Sequence, residues 1–152
     1  MALAEGDKAP GFQMLDESGK IWRLSDLSGQ KVILFFYPID DSPGCTIEAC
    51  DFRDSHAELR DAGYLVLGVS PQGRVSKRAF IEKYGLQFPL LIDEGAEVAK
   101  AYGVYKERGV FEGHPVVIDR STFVIDEDGR IERALIGVKA PGHVDSLKAV
   151  VV

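Results

Sequence analysis

Residues 35–50 read FFYPIDDSPGCTIEAC and join an apolar run to a polar stretch that contains both cysteines of the chain. The apolar run, residues 32–37, predicts a buried strand, and Pro38 ends it because proline lacks a backbone N–H. Ser42 followed by Pro43 is typical of a helix N-cap with proline at the first helical position. We therefore expect a strand, a short loop and a helix that begins near Pro43.

The predicted helix, about residues 43–60, has a single core-facing seam. Its members recur at spacings of three and four residues: Cys45, Ala49, Phe52, His56 and Leu59. Cys50 is rotated by about 140° from Cys45, since each residue of a helix turns by about 100°. The two thiols therefore begin on different faces of the helix.

Cys45 lies three positions after the predicted N-cap. There the first backbone N–H groups of the helix have no intrahelical partner, and the positive end of the helix dipole lies close by. Both effects favour the thiolate over the thiol, and the thiolate is the nucleophilic form. Cys45 is therefore the candidate nucleophile.

The rest of the chain predicts an α/β protein. A hairpin (residues 12–15 and 21–24) precedes the central strand, and a further apolar strand (64–69) follows the helix, which makes a βαβ unit with parallel strands. The later elements are a helix (76–84), a strand (89–92), a helix (96–102), two strands (121–125 and 131–136) and a last helix (143–150). This order predicts a thioredoxin-like fold, with a central mixed sheet flanked by helices, an N-terminal hairpin and an insertion before the last hairpin.

Size and charge narrow the class of protein. With 152 residues, 45% of them hydrophobic, the chain has the length of one domain, which we expect to span residues 1–152. A formal net charge of −6 with both signs interspersed argues against a nucleic acid partner. No apolar run has the length of a membrane span, and no leader pattern stands near Met1, so we expect a cytoplasmic protein.

The cysteine count argues against a disulfide scaffold and favours redox or catalytic use. A zinc site needs about four ligands. The candidate ligands show no such spacing: Cys45, Cys50, His56, His114 and His143. We therefore expect neither a metal nor another cofactor.

Three residues around the start of the predicted helix carry a resemblance to a known family. Pro38, Ser42 and Cys45 fit the Pro-x-x-x-Thr/Ser-x-x-Cys active-site signature of peroxiredoxins. The run GCTIEAC at residues 44–50 resembles the bacterioferritin-comigratory-protein (Bcp or PrxQ) branch, of the atypical 2-Cys type. Residues 70–71, 84–86, 88–91 and 120–123 are similar to that branch as well. The resemblance implies the same thioredoxin-like fold.

The resemblance implies a thiol-dependent peroxidase that acts on hydrogen peroxide and organic hydroperoxides. Cys45 would attack the peroxide and become a sulfenic acid, and Cys50 would resolve it as an intramolecular disulfide. A thioredoxin or glutaredoxin-type partner would then reduce that disulfide. The resemblance also favours a monomer.

The local charges work against a thiolate at Cys45. Asp40, Asp41 and Glu48 are close to it in sequence, and nearby negative charge raises the pKa of a thiol. No lysine or arginine occurs between Lys31 and Arg53, so a compensating cation has to come from elsewhere in the fold.

The resemblance supplies that cation and the other site residues. Arg120, at the start of a late strand, matches the family's active-site arginine, and its planar fork suits a sulfur and two peroxide oxygens. The resemblance further implies that Ser42 bonds the thiolate or the peroxide, that Pro38 shields the sulfur from water, and that Glu48 orients Arg120.

Two other functions are compatible with a pair of cysteines. A disulfide oxidoreductase is one, although such enzymes typically space their thiols as Cys-x-x-Cys, whereas four residues separate Cys45 and Cys50. A non-enzymatic holdase or interaction domain with incidental thiols is the other, because free cysteines are commonly inert buried side chains.

Overall fold

The computed structural model describes residues 3–106, 110–111, 114–115 and 118–151. Its helices are α1 (Pro43–Asp61), α2 (Arg74–Tyr84), α3 (Glu97–Ala101) and α4 (His143–Val151). Its strands are β1 (Gln13–Asp16), β2 (Ile21–Arg23), β3 (Lys31–Phe36), β4 (Tyr64–Ser70), β5 (Leu90–Ile92), β6 (Val110–Phe111), β7 (His114–Pro115), β8 (Ser121–Ile125) and β9 (Ile131–Ile136). Short 3₁₀ turns occupy Leu24–Leu27 and Glu94–Ala96.

Within the described residues, seven strands form one mixed sheet in the order β2-β1-β5-β4-β3-β8-β9. Strands β3 and β4 are parallel and are connected through α1, as the βαβ prediction requires. The β1–β2 hairpin joins the sheet through an antiparallel pairing with β5, so the predicted N-terminal hairpin extends one edge. The mixed sheet with its flanking helices confirms the thioredoxin-like fold.

Both faces of the sheet are covered, which explains the unbroken apolar run of β3. Side chains alternate between the two faces of a strand. Val32, Leu34 and Phe36 therefore enter one core, which includes residues of β1, β8 and α3, whereas Ile33 and Phe35 enter a second core. Helices α1, α2 and α4 contribute to that second core. Helix α1, which carries both cysteines, thus packs on the second face.

A close approach of two side chains requires the glycine in the middle of β4. A Cβ atom added to Gly68 would lie 2.7 Å from Cδ2 of Leu90 and 2.8 Å from Cζ of Phe35. Phe35 also stacks on Phe52 of α1, with ring centroids 4.4 Å apart. Gly68 therefore makes room for the aromatic packing that holds α1 against the sheet.

Most predicted boundaries differ from the structure by one or two residues. The strands at residues 121–125 and 131–136 match β8 and β9, and α1 ends at Asp61, shortly before Gly63 with φ of +93°. The predicted insertion contains the antiparallel pair β6–β7.

No helix in the described ranges is both long and apolar enough to cross a membrane.

Helix α2 differs more from expectation, because its buried face includes a charge. Phe80 is buried as predicted, whereas Ile81 and Tyr84, also expected to point inward, are only partly buried. Lys77 is fully buried on the same helix. A buried lysine needs a partner, and the partner of Lys77 lies in the loop before α1.

Candidate active site

The loop after β3 sets the first turn of α1. Ser42 is the N-cap and Pro43 the first helical residue, as predicted. The Ser42 hydroxyl caps no helix N–H; it donates to the carbonyl oxygen of Ile39 at 3.1 Å. Pro38 is buried at the start of this loop. Cys45, in the first turn, is only 1% exposed.

Arg120 lies beside Cys45 because β8 pairs with β3. The antiparallel register sets Ser121 opposite Phe36, which brings Arg120 to the end of β3 where α1 begins. Its Nη2 donates to Sγ of Cys45 at 3.3 Å, and its Nη1 donates to Oε1 of Glu48 at 2.7 Å. The fork of one guanidinium therefore spans the sulfur and the carboxylate.

Burial sets the balance of charge at Cys45. It raises the pKa of the Cys45 thiol above the ordinary value, and this is the largest influence. The charge of Arg120 is the strongest opposing influence, followed by hydrogen bonds from the Ser42 hydroxyl and at the Ile39 backbone. The carboxylates, which the sequence indicated as the obstacle to a thiolate, are thus less important than desolvation.

Each of the three carboxylates near Cys45 has a cation of its own. Asp41 is exposed and accepts hydrogen bonds from Lys83 Nζ at 2.9 Å and from the Tyr84 hydroxyl at 2.8 Å. The bond from Lys83 is the main cause that lowers the pKa of Asp41. Asp40 pairs with Lys77, and Glu48 with Arg120. The sequence did not predict the first two pairs.

Glu48 is completely buried, and its two oxygens differ in their contacts. Burial raises the pKa of Glu48 to about 7, although the charge of Arg120 opposes this shift. Among the described residues, Oε2 of Glu48 accepts no hydrogen bond. Nε2 of His143 lies 3.9 Å from it, beyond hydrogen-bond distance.

His143, the first residue of α4, belongs to the same buried cluster. Its Nε2 shares a hydrogen bond of 2.7 Å with Oγ1 of Thr122. Burial, together with the charge of Arg120, lowers the pKa of His143 to about 4. The imidazole is therefore neutral near pH 7 and forms no ion pair with Glu48. The sequence indicated no role for His143, because its only local signal was its place at the start of a helix.

Cys50 lies on α1, is partly exposed, and is a free thiol like Cys45. Burial raises the pKa of Cys50, and the charge of Arg53 opposes the shift. The intact helix separates the two Cα atoms by roughly 8.7 Å, from a rise of about 7.5 Å and a rotation of about 140°. A disulfide requires Cα atoms within about 7 Å, so the two thiols cannot bond while α1 is intact.

In the described part of the chain, no cluster of three or more His, Cys, Asp or Glu side chains is placed to hold a metal ion. Of the histidines considered as ligands, His56 packs its ring near that of Phe88, and His143 bonds Thr122. The side chain of His114 lies outside the described residues.

The chain resembles known proteins along most of its length. Residues 5–134 match the model of the AhpC/TSA family. Peroxiredoxin Bcp of Bacillus subtilis is 40% identical over 144 residues, which cover 95% of this chain and 92% of that protein.

Solved structures agree with that match. A cysteine-to-serine variant of Xylella fastidiosa PrxQ superposes with a TM-score of 0.87 at 32% identity, covering 98% of both chains. The bacterioferritin comigratory protein of Xanthomonas campestris, described for its alkyl peroxide reduction activity, gives 0.84 at 32% identity, covering 92% of this chain and 89% of that one. This chain therefore belongs to the AhpC/TSA family, as a peroxiredoxin of the Bcp/PrxQ branch, and is a thiol-dependent peroxidase.

Proposed function

We propose that Cys45 is the peroxidatic thiol, that Cys50 resolves it, and that a thioredoxin-type dithiol recycles the enzyme. The observation that carries this proposal is the fork of Arg120, which contacts Sγ of Cys45 and is held on its other side by Glu48. Peroxide reduction needs a charged sulfur and a donor for the departing oxygen, and a guanidinium supplies both kinds of stabilisation.

In the first step, the thiolate of Cys45 attacks one peroxide oxygen and the O–O bond breaks. The sulfur becomes a sulfenic acid, and the second oxygen leaves as hydroxide or alkoxide, which takes up the proton that the Cys45 thiol released and becomes water or an alcohol. The Ser42 hydroxyl donates to the Ile39 carbonyl, and it is also close enough to Cys45 to lower the pKa of that thiol. By rotation it would serve the thiolate or the peroxide instead, and buried Pro38 would limit the access of water to the sulfur.

Arg120 has the more demanding task, because burial raises the pKa of Cys45. The guanidinium stabilises the thiolate directly, and its charge would also stabilise the oxygen that leaves the peroxide. Glu48 orients this fork by its 2.7 Å contact with Nη1. We therefore assign Arg120 to transition-state stabilisation and Glu48 to positioning.

In the second step, the Cys50 thiol attacks the sulfenic acid, which forms a disulfide and releases water. The first turns of α1 have to open for this step, since the helix holds the two thiols apart. The open disulfide would then exchange with the thiols of a thioredoxin or glutaredoxin-type reductant. Hydrogen peroxide and organic hydroperoxides are both proposed substrates, by similarity to the family.

The two cysteine variants test the assignment. Cys45→Ser should abolish peroxide consumption in an assay coupled to thioredoxin and its reductase. Cys50→Ser should consume about one equivalent of peroxide and accumulate a sulfenic acid that dimedone traps. A reactive Cys45→Ser variant beside an inert Cys50→Ser variant would reverse the roles. Reduction of insulin without peroxide consumption would instead indicate a disulfide oxidoreductase.

We further propose that the enzyme acts as a monomer of one domain in the cytoplasm. The family resemblance supports this proposal. Sedimentation at several concentrations tests the oligomeric state, and fractionation of cells tests the location.

A further inference from the structure

Lys77 is a buried cation close to the site. Its side chain and that of Asp40 are both 0% exposed, and Nζ lies 3.3 Å from Oδ1 and 3.4 Å from Oδ2 of Asp40. Nζ also donates to the hydroxyl of Ser70 at the end of β4. Burying an ion pair costs desolvation free energy, which is offset only where the geometry and further hydrogen bonds are good. The fold therefore retains an ion pair whose burial costs desolvation free energy.

Asp40 is the centre of a buried network that fixes the loop before α1. The Tyr37 hydroxyl donates to Oδ1, and the Ser76 hydroxyl donates to Oδ2 at 2.6 Å. The backbone N–H of Asp40 donates to Oε1 of Gln72 at 3.1 Å, and Nε2 of Gln72 donates to the carbonyl oxygen of Pro38 at 3.0 Å. Helix α2 and the end of β4 thus hold the loop that carries Pro38 and Ser42.

The network is electrostatically coupled to Cys45. Burial lowers the pKa of Lys77 to about 8, while the charges of Asp40, Asp93 and Cys45 oppose the shift. Burial likewise raises the pKa of Tyr37, and the charges of Asp40 and Cys45 add to the effect. The same interaction acts on Cys45, where burial, Arg120, Ser42 and the Ile39 backbone have larger effects on the pKa. An unpaired carboxylate in the same buried region would disfavour the thiolate.

We propose that Lys77 is a positioning residue for the peroxide reaction: its ammonium group neutralises Asp40, which fixes residues 38–42 against α2 and removes the charge of Asp40 from the surroundings of Cys45. This inference rests on the proposed role of Cys45 as the peroxidatic thiol. Lys77 acts through Asp40 and the loop, without contact to the reacting atoms.

A double-variant cycle tests this role, in a Cys50→Ser background so that Cys45 is the only thiol. Lys77→Met should raise the Cys45 pKa by about one unit, since Tyr37 and Ser76 still stabilise the Asp40 carboxylate. The peroxide step at neutral pH should then slow about tenfold, in proportion to the lost thiolate. Asp40→Asn should lower the Cys45 pKa, and the combination Lys77→Met with Asp40→Asn should restore a value close to that of the parent.

The ultraviolet absorbance of the thiolate, followed against pH, measures each pKa. Opposite shifts in the two single variants support the proposal, whereas shifts of one sign or no shifts overturn it. A purely structural role would destabilise both variants without that change of sign. If Lys77→Met does not fold, the comparison of Asp40→Asn with the double variant still gives the effect of Lys77.

Arg78→Met is the matched control, since it removes an exposed cation from the next position of α2. The Cys45 pKa should be the same in this variant as in the parent. The titration needs no turnover, so its result stands apart from the proposed function. If Cys45 consumes no peroxide, the function fails; if the cycle shows no change of sign, the role of Lys77 fails.

Discussion

Nη2 of Arg120 lies 3.3 Å from Sγ of Cys45, although 75 positions separate the two residues in the chain. The antiparallel pairing of β8 with β3 brings them together, because it places Arg120 where α1 begins. The contact between the guanidinium and the sulfur therefore exists only in the folded protein.

Two replacements of Arg120 should distinguish the effect of its positive charge from the effect of its planar, two-pronged shape. Arg120→Ala should raise the Cys45 pKa and slow the peroxide step more than tenfold, since one charge-assisted hydrogen bond contributes about 1.5–3 kcal/mol. Arg120→Lys should preserve more of the thiolate but still react slowly, because one ammonium cannot span Cys45 and Glu48. Thiolate titration and stopped-flow kinetics measure the two effects. Arg23→Ala, at an exposed position of edge strand β2, is the control, and equal rates in all four proteins would contradict the assignment.

Oxidation should unwind the first turns of α1. The helix holds Cys45 and Cys50 roughly 8.7 Å apart at Cα and on different faces, which a disulfide does not tolerate. The oxidised protein should therefore have less helix and weaker amide protection over residues 43–53 than the reduced protein. Circular dichroism and amide exchange, after mass spectrometry confirms the disulfide, measure both. Equal helicity and equal protection in the two forms would rule out the opening.

The buried carboxyl of Glu48 should give stability a distinctive pH dependence. Its pKa is raised from 4.5 to about 7, so between these values the folded protein binds a proton that the unfolded chain releases. The contribution of Glu48 to the free energy of unfolding therefore falls as the pH rises from about 4.5 to 7, by up to about 1.4 kcal/mol per pH unit. Glu48→Gln lacks this fall, so its stability relative to wild type should increase across that range.

Urea unfolding at several pH values measures the difference in the free energy of unfolding between Glu48→Gln and wild type. His143 acts in the opposite direction, because its pKa is lowered from 6.5 to about 4 and its contribution rises over that interval. The opposing slopes partly cancel in the wild type, so the variants are needed to reveal them. Glu82→Gln, at an exposed position of α2, is the control. A stability difference between Glu48→Gln and wild type that does not change with pH would contradict the raised pKa.

Gly68→Ala should destabilise the protein without a direct effect on the chemistry. The added methyl would lie within 2.8 Å of both Leu90 and Phe35, so one side chain has to leave its position. Overpacking of this kind costs about 1–3 kcal/mol. Denaturant unfolding should show the loss. The control is Gly73→Ala, because a Cβ at Gly73 meets nothing within 4 Å; equal stability of the two variants would contradict the packing argument.

Local sequence patterns predicted the elements of the fold well. Strand β3 is a continuous apolar run because both of its faces are buried, and α1 begins at a serine and a proline that act over one turn. These signals lie within a few residues of the structure they specify. The order of the elements then predicted the parallel pairing of β3 with β4.

The polar interior of the site was harder to predict. Lys77 precedes Phe80 by three positions and so belongs to the inward face of α2, but a lysine is ordinarily read as a solvent-exposed residue. Its partner Asp40 lies 37 positions earlier, and no local pattern connects them. The contact of Arg120 with Cys45 spans an even longer separation, 75 positions, and only the family resemblance predicted it. Buried charges pair through the tertiary fold, which periodicity does not reveal.

The exposure of the two thiols on α1 sorts them by the size of the reagent that reaches them. Cys45 is 1% exposed behind its loop, whereas Cys50 is partly exposed on the same helix. A bulky alkylating reagent meets Cys50 first, while a molecule as small as hydrogen peroxide needs only a slight opening to reach Cys45. The closed form thus excludes bulky reagents from Cys45 and admits small oxidants. A large label on Cys50 can therefore report the opening of the helix while Cys45 remains able to react with the oxidant.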